Sequence, residues 1–123
     1  MRIALIAHDG KKAEMVTFAM QNIDRIKNAT ICATGTTGGL IENSTNIKVE
    51  KLLSGPKGGD AQIASLVATG KLDMVFFFRD PLDKHPHEPD VQMLMRICDV
   101  HNVPLATNIA AADLMLKGFL KES

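Results

Sequence analysis

The chain has no tryptophan and no tyrosine, and phenylalanine is its only aromatic residue. Proteins that stack nucleobases need aromatic faces, and phenylalanine alone offers a poor supply for a base-stacking platform. Neither sign of charge is in excess: fourteen basic and fourteen acidic side chains cancel, and no basic run stands out. Nucleic acid therefore has no electrostatic footprint to grip. Long apolar runs are missing too. A membrane-spanning helix needs about 20 apolar residues in a row, and Lys, Arg, Asp or Gly interrupts every run here well short of that. The opening MRIALIAHDG is too brief for a secretory signal and has no small-residue cleavage site. Cysteine is scarce. Cys32 and Cys98 each sit inside an apolar segment and read as reduced core residues, which suits a cytoplasmic location. There is no repeat, linker or low-complexity stretch, and chains below about 150 residues rarely divide into two cores, so residues 1–123 read as a single domain.

What is present is aliphatic side chain in quantity, more than a disordered chain carries. It is arranged as short β-rich runs alternating with helical patterns. Residues 2–7 (RIALIA) form an apolar run without alternation, as expected of a strand covered on both faces. Residues 10–26 then place Met15, Phe18, Ala19, Ile23 and Ile26 on one helical face. Further strands are expected over 30–33, 47–53 (the least apolar, near an edge), 72–78 and 103–107. Further helices are expected over 39–45, 60–69, 91–101 with Asp90 as N-cap, and 110–117. Methionines such as Met15, Met93 and Met95 fall at helical core positions, and His101 reads as a cap at a helix C-terminus. Five β-runs separated by helical patterns imply parallel strands with crossover helices, hence a three-layer α/β/α sandwich on a five-stranded parallel sheet. In such sheets ligands bind beyond the carboxyl ends of the strands, where the order reverses.

Polar residues collect where that rule points. Strand one runs out into His8-Asp9-Gly10-Lys11-Lys12, strand two into Thr34-Gly35-Thr36-Thr37-Gly38-Gly39, and strand three into Ser54-Gly55-Pro56-Lys57-Gly58-Gly59-Asp60. Strand four is followed by a long segment holding Asp80, Asp83, His85, His87 and Asp90. TGTTGG offers backbone N–H groups and hydroxyls at a helix start, the combination that holds a phosphate. It reads equally as a tight turn with a threonine cap. SGPKGGD is a second such loop, with Asp60 either an acid at the site or an N-cap, and Lys57 either a phosphate contact or a solvated charge. Prolines flanking His87 hold it extended, as a catalytic imidazole requires. The His85-X-His87 pair with nearby carboxylates leaves a metal-dependent phosphohydrolase open as an alternative. Two phosphate loops, several carboxylates and two loop imidazoles suit proton abstraction beside the carbonyl of a small phosphorylated substrate. These residues alone do not choose between isomerisation and elimination.

Taken together the same segments resemble methylglyoxal synthases. The match runs through IALIAHD, ATGTTG, LSGPKGGD, FFRDPL, PHEPDV and VPLATN, nearly the whole chain with similar spacing, and the combination is far more specific than any piece. The resemblance implies a sheet of order 3-2-1-4-5 and a lyase that turns dihydroxyacetone phosphate into methylglyoxal and inorganic phosphate, bypassing part of glycolysis, with no metal and no organic cofactor. It implies Asp60 as the base, His87 beside the substrate oxygens, and Asp9, Asp80 and Asp90 as further catalytic carboxylates. His8 and Lys12 would contact the substrate, with Thr34, Gly35, Thr36, Thr37, Ser54 and Gly55 around its phosphate. It further implies a cytoplasmic homohexamer restrained by phosphate, with no nucleic-acid or membrane partner. Some members carry an arginine near the C-terminus that reaches a neighbouring subunit; the last arginine here is Arg96, so the resemblance does not extend to that contact. Related domains also serve as non-catalytic allosteric modules, which His8, Asp60, His87 and Asp90 together argue against.

Overall fold

In a computed structural model, residues 1–82 and 88–121 are described. The strands are β1 (Arg2–Ala7), β2 (Thr30–Thr34), β3 (Val49–Leu52), β4 (Met74–Phe78) and β5 (Leu105–Ala106). The helices are α1 (Lys12–Gln21), α2 (Ile23–Ile26), α3 (Gly35–Thr45), α4 (Gly59–Ala68), α5 (Glu88–Val100) and α6 (Ile109–Lys121). All strand pairs are parallel and their order is β3-β2-β1-β4-β5, which is the expected order with β3 at an edge.

Strand geometry sends alternate side chains to opposite faces, and here both faces are apolar. Ile3, Leu5, Ile31, Ala33, Met74, Phe76 and Phe78 pack with Met15, Phe18, Ile41, Ala112 and Leu116 of α1, α3 and α6. Ala4, Ile6, Cys32, Val75 and Phe77 pack with Ile63, Val67, Val91, Leu94 and Cys98 of α4 and α5. Burying one large apolar side chain contributes roughly 1.5–3 kcal/mol, so covering both faces fixes the strands that carry the site loops. The direction of travel reverses between β3 and β4, leaving β1 and β4 side by side in the middle of the sheet.

Several element limits differ from the sequence reading. The helix expected over 10–26 is broken at Asn22, whose side-chain amide donates to the Phe18 carbonyl while its oxygen accepts from Arg25. A local side-chain bond of this kind competes with the helical ladder. The helix expected over 39–45 starts at Gly35 instead, because Thr37, Gly38, Ile41 and Thr45 form its buried stripe. That packing outweighs the poor helix propensity of glycine. Asp90 is not an N-cap: α5 already begins at Glu88, and the proline at position 89 suits a first turn, where no N–H is needed. Nor is Asp60 a cap, since Gly58 holds that position and α4 starts at Gly59. Met15 is buried and Met93 half-buried as expected, but Met95 is exposed.

Candidate active site

The candidate site lies at the carboxyl ends of β1, β2 and β3, around a cavity of about 230 Å³. That is smaller than the ~300–1,000 Å³ of pockets for drug-sized ligands, and it suits a small metabolite. From β1 come Ile6 and Ala7, from the turn after it His8 and Asp9, and from the start of α1 Lys12. The end of β2 and the first turn of α3 contribute Thr34, Gly35, Thr36 and Thr37. Beyond β3 come Ser54, Gly55 and Asp60, and Phe77 of β4 closes the wall.

Each polar group is held by a specific local device. His8 is extended (φ −62°, ψ 157°), and its N–H donates to the Phe78 carbonyl at 3.1 Å, continuing the β1–β4 ladder by one residue. Its ring meets the Phe77 ring edge-on at a centroid separation of 5.1 Å, and the Asp80 backbone N–H donates to its Nδ1 at 3.0 Å. Lys12 Nζ donates to Thr36 Oγ1 at 2.9 Å and pairs with Asp9 Oδ1 at the same distance, so the β1 turn and α3 are cross-linked over the cavity. Asp9 itself is a rim residue with 90% of its side chain exposed.

Thr34 occupies the N-cap of α3 without a side-chain capping bond. The first-turn N–H groups of a helix have no intrahelical partner and carry partial positive charge. Gly35 has φ +56°, and a Cβ placed on it would meet Ser54 at 3.4 Å, so the α3 terminus lies beside the second loop. In that loop the Ser54 carbonyl accepts from the N–H groups of Lys57 and Gly59 at 3.0 and 2.8 Å, closing a tight turn. Asp60 follows in the first turn of α4 and is only 9% exposed. Its two carboxylate oxygens stand 3.4 and 3.5 Å from where a Cβ on Gly55 would lie, so the Gly55 backbone lies directly beside the carboxylate.

The structure thus gathers His8, Asp9, Lys12, Thr34, Gly35, Thr36, Thr37, Ser54, Gly55 and Asp60 around one cavity. Asp80 is not on that lining. It lies behind His8, with its Oδ1 accepting the Leu82 N–H at 3.2 Å. Lys57 is exposed and also off the lining, a solvated charge. Asp90 lies in the first turn of α5. His87, and the His85-X-His87 pair of the metal alternative, fall outside the described residues. The sequence reading missed the apolar wall of Ile6, Ala7 and Phe77; the signal was their place at the ends of buried strands. It also missed the backbone amide of Asp80, for which no side-chain pattern gives a signal.

Comparison with known proteins identifies the family. The family model described as MGS-like domain matches residues 14–107. Methylglyoxal synthase of Acholeplasma laidlawii is 60% identical over 117 residues, covering 95% of this chain and 96% of that protein. Methylglyoxal synthase of Clostridium botulinum (strain Eklund 17B / Type B) is 52% identical over 119 residues, covering 97% of this chain and 100% of that protein. The crystal structure of methylglyoxal synthase from Elizabethkingia anophelis NUHP1 matches with a TM-score of 0.88 at 42% identity, covering 94% of this chain and 76% of that one. By sequence and by fold, the chain belongs to the methylglyoxal synthase family of lyases.

Proposed function

We propose that this chain converts dihydroxyacetone phosphate into methylglyoxal and inorganic phosphate. The observation that carries the reading is the meeting, around one small cavity, of a buried carboxylate, an imidazole and a helix N-terminus dressed with threonines. The substrate phosphate accepts hydrogen bonds from the first turn of α3 and from Thr34, Thr36 and Thr37, with Ser54 and Gly55 on its other side and Lys12 adding positive charge. Asp60 removes a proton from the hydroxymethyl carbon, and the C–H electron pair becomes the C=C bond of an enediolate. Imidazole donors, His8 and (from the resemblance) His87, stabilise the developing oxyanion. Asp9, Asp80 and Asp90 support this machinery. When the C–O bond to phosphate lies perpendicular to the enediolate plane it overlaps the π system and breaks, releasing phosphate. The remaining enol takes a proton at carbon and becomes methylglyoxal. The fixed Gly/Thr cradle sets that angle, and an isomerase must hold the same bond in the plane. No electron sink or redox partner enters this sequence, so neither metal nor organic cofactor is part of the proposal.

The resemblance adds a homohexamer, a cytoplasmic setting and restraint by phosphate. The test is to incubate the purified protein with dihydroxyacetone phosphate and read methylglyoxal and phosphate. Equal amounts of both are expected. Glyceraldehyde 3-phosphate alone would make the chain an isomerase. Ligand binding without turnover would make it a non-catalytic module.

A further inference from the structure

The contact behind His8 bears on which proton the imidazole carries. A backbone amide can only donate, so the 3.0 Å contact from the Asp80 N–H makes His8 Nδ1 an acceptor. An imidazole accepting at Nδ1 is neutral, with its proton on Nε2. Whatever Nε2 meets, it meets as a donor. Three features hold the Asp80 amide in place. Asp80 follows directly on β4 and Arg79, whose N–H donates to the Thr107 carbonyl at 3.2 Å. The Asp80 carboxylate accepts the Leu82 N–H through Oδ1, folding the chain back on itself. Its other oxygen, Oδ2, occupies the space that a Cβ on Gly10 would take, so the turn after β1 and the turn after β4 interlock.

From this we infer that Asp80 is a positioning residue: its side chain fixes the turn, and its backbone N–H locks His8 as the neutral Nε2–H tautomer, a hydrogen-bond donor to the enediolate. The inference rests on the proposed lyase reading, because it assigns the donor a substrate oxygen. A neutral imidazole donor suits this reaction: it stabilises an oxyanion without first surrendering a proton to Asp60, the neighbouring base on the same cavity. It also separates Asp80 from Asp60. The one works by geometry and the other by proton transfer.

The test combines kinetics with long-range ¹H–¹⁵N correlation spectra of the histidine rings. The chain has four histidines, and His8→Gln identifies the His8 signals by their loss. In the wild type, Nδ1 should show the shift of an unprotonated ring nitrogen and Nε2 that of a protonated one. Asp80→Ala keeps the backbone N–H but frees the turn. It should mix the two tautomers and lower kcat by about 10–10²-fold with KM little changed. Asp80→Asn retains an acceptor for the Leu82 N–H, and it should restore both the His8 signals and most of the lost kcat. Gly10→Ala, which displaces the carboxylate from the other side, should act like Asp80→Ala and serves if that variant does not fold. A protonated Nδ1 in the wild type would overturn the inference. So would loss of activity in Asp80→Ala with the tautomer unchanged, or failure of Asp80→Asn to rescue. A wild type that yields no methylglyoxal sinks the lyase reading and the catalytic use of the donor together, while the ring shifts of that same protein still decide the lock.

Discussion

In the proposed reaction Asp60 is the base, and most of the chemistry turns on it. Asp60→Asn keeps the size of the side chain but removes the base. Turnover and exchange of the substrate's carbon-bound hydrogen with solvent deuterium should both fall by about 10²–10⁴-fold, with substrate binding changed far less. A variant that exchanges at the wild-type rate would reduce Asp60 to a packing role. The two cysteines give a second prediction at this scale. Cys32 and Cys98 are almost fully buried, and burial pushes each thiol from an ordinary value of 9.0 up to about 11. Below about pH 9 both thiols are protonated whether the chain is folded or not, and the packing they provide is fully present. Between about 9 and 11 the unfolded chain releases protons that the folded chain keeps, so stability falls as pH rises. Thermal melts across that window should drop more steeply for the wild type than for the Cys32→Ala/Cys98→Ala double variant. Equal slopes would contradict the assignment. Both cysteines were legible as core residues because their sequence neighbours are apolar. The amide contact at His8 Nδ1 was not, because its donor lies 72 positions away.

At the scale of elements, the start of α3 shows how tertiary packing moves a boundary. Glycine and threonine are poor helix formers, so the sequence favours a loop over positions 34–38. Burial of Thr37, Gly38, Ile41 and Thr45 against the sheet pulls the helix back to Gly35, and this aims its N-terminus at the cavity. Gly35 is what permits the junction, with φ +56° and Ser54 where a Cβ would make contact. A side chain in that left-handed conformation costs roughly 1–2 kcal/mol. Gly35→Ala should therefore lower the melting temperature by several degrees and weaken phosphate binding, measured by calorimetry. Unchanged phosphate affinity in a strained but folded variant would detach the α3 terminus from the site. The broken first helix teaches the same lesson in reverse. The apolar spacing through Ile26 is that of one continuous helix, but the Asn22 side chain takes the Phe18 carbonyl and ends α1 early.

For the whole molecule, the proposed phosphate cradle predicts a stability that depends on the ligand. Inorganic phosphate that binds only the folded state stabilises by about 2.7 kcal/mol at 100 times its Kd. Millimolar phosphate should raise the melting temperature and compete with the substrate, and absence of both effects would undercut the two loops. The sequence by itself determined the layers and the ends. Unalternating apolar runs require cover on both faces, and polar residues following each run mark the carboxyl edge. The motif combination added the strand order, and the observed order agrees. What only the tertiary structure decided was which candidates share a cavity. Asp60, Thr34 and His8 come from three strand ends far apart in the chain and meet there, while Asp80, equally polar and equally close to a strand end, falls behind the imidazole. Local pattern fixes which face a residue takes, but parallel pairing and the reversal between β3 and β4 set distances across the sheet, and those distances depend on packing from the entire chain.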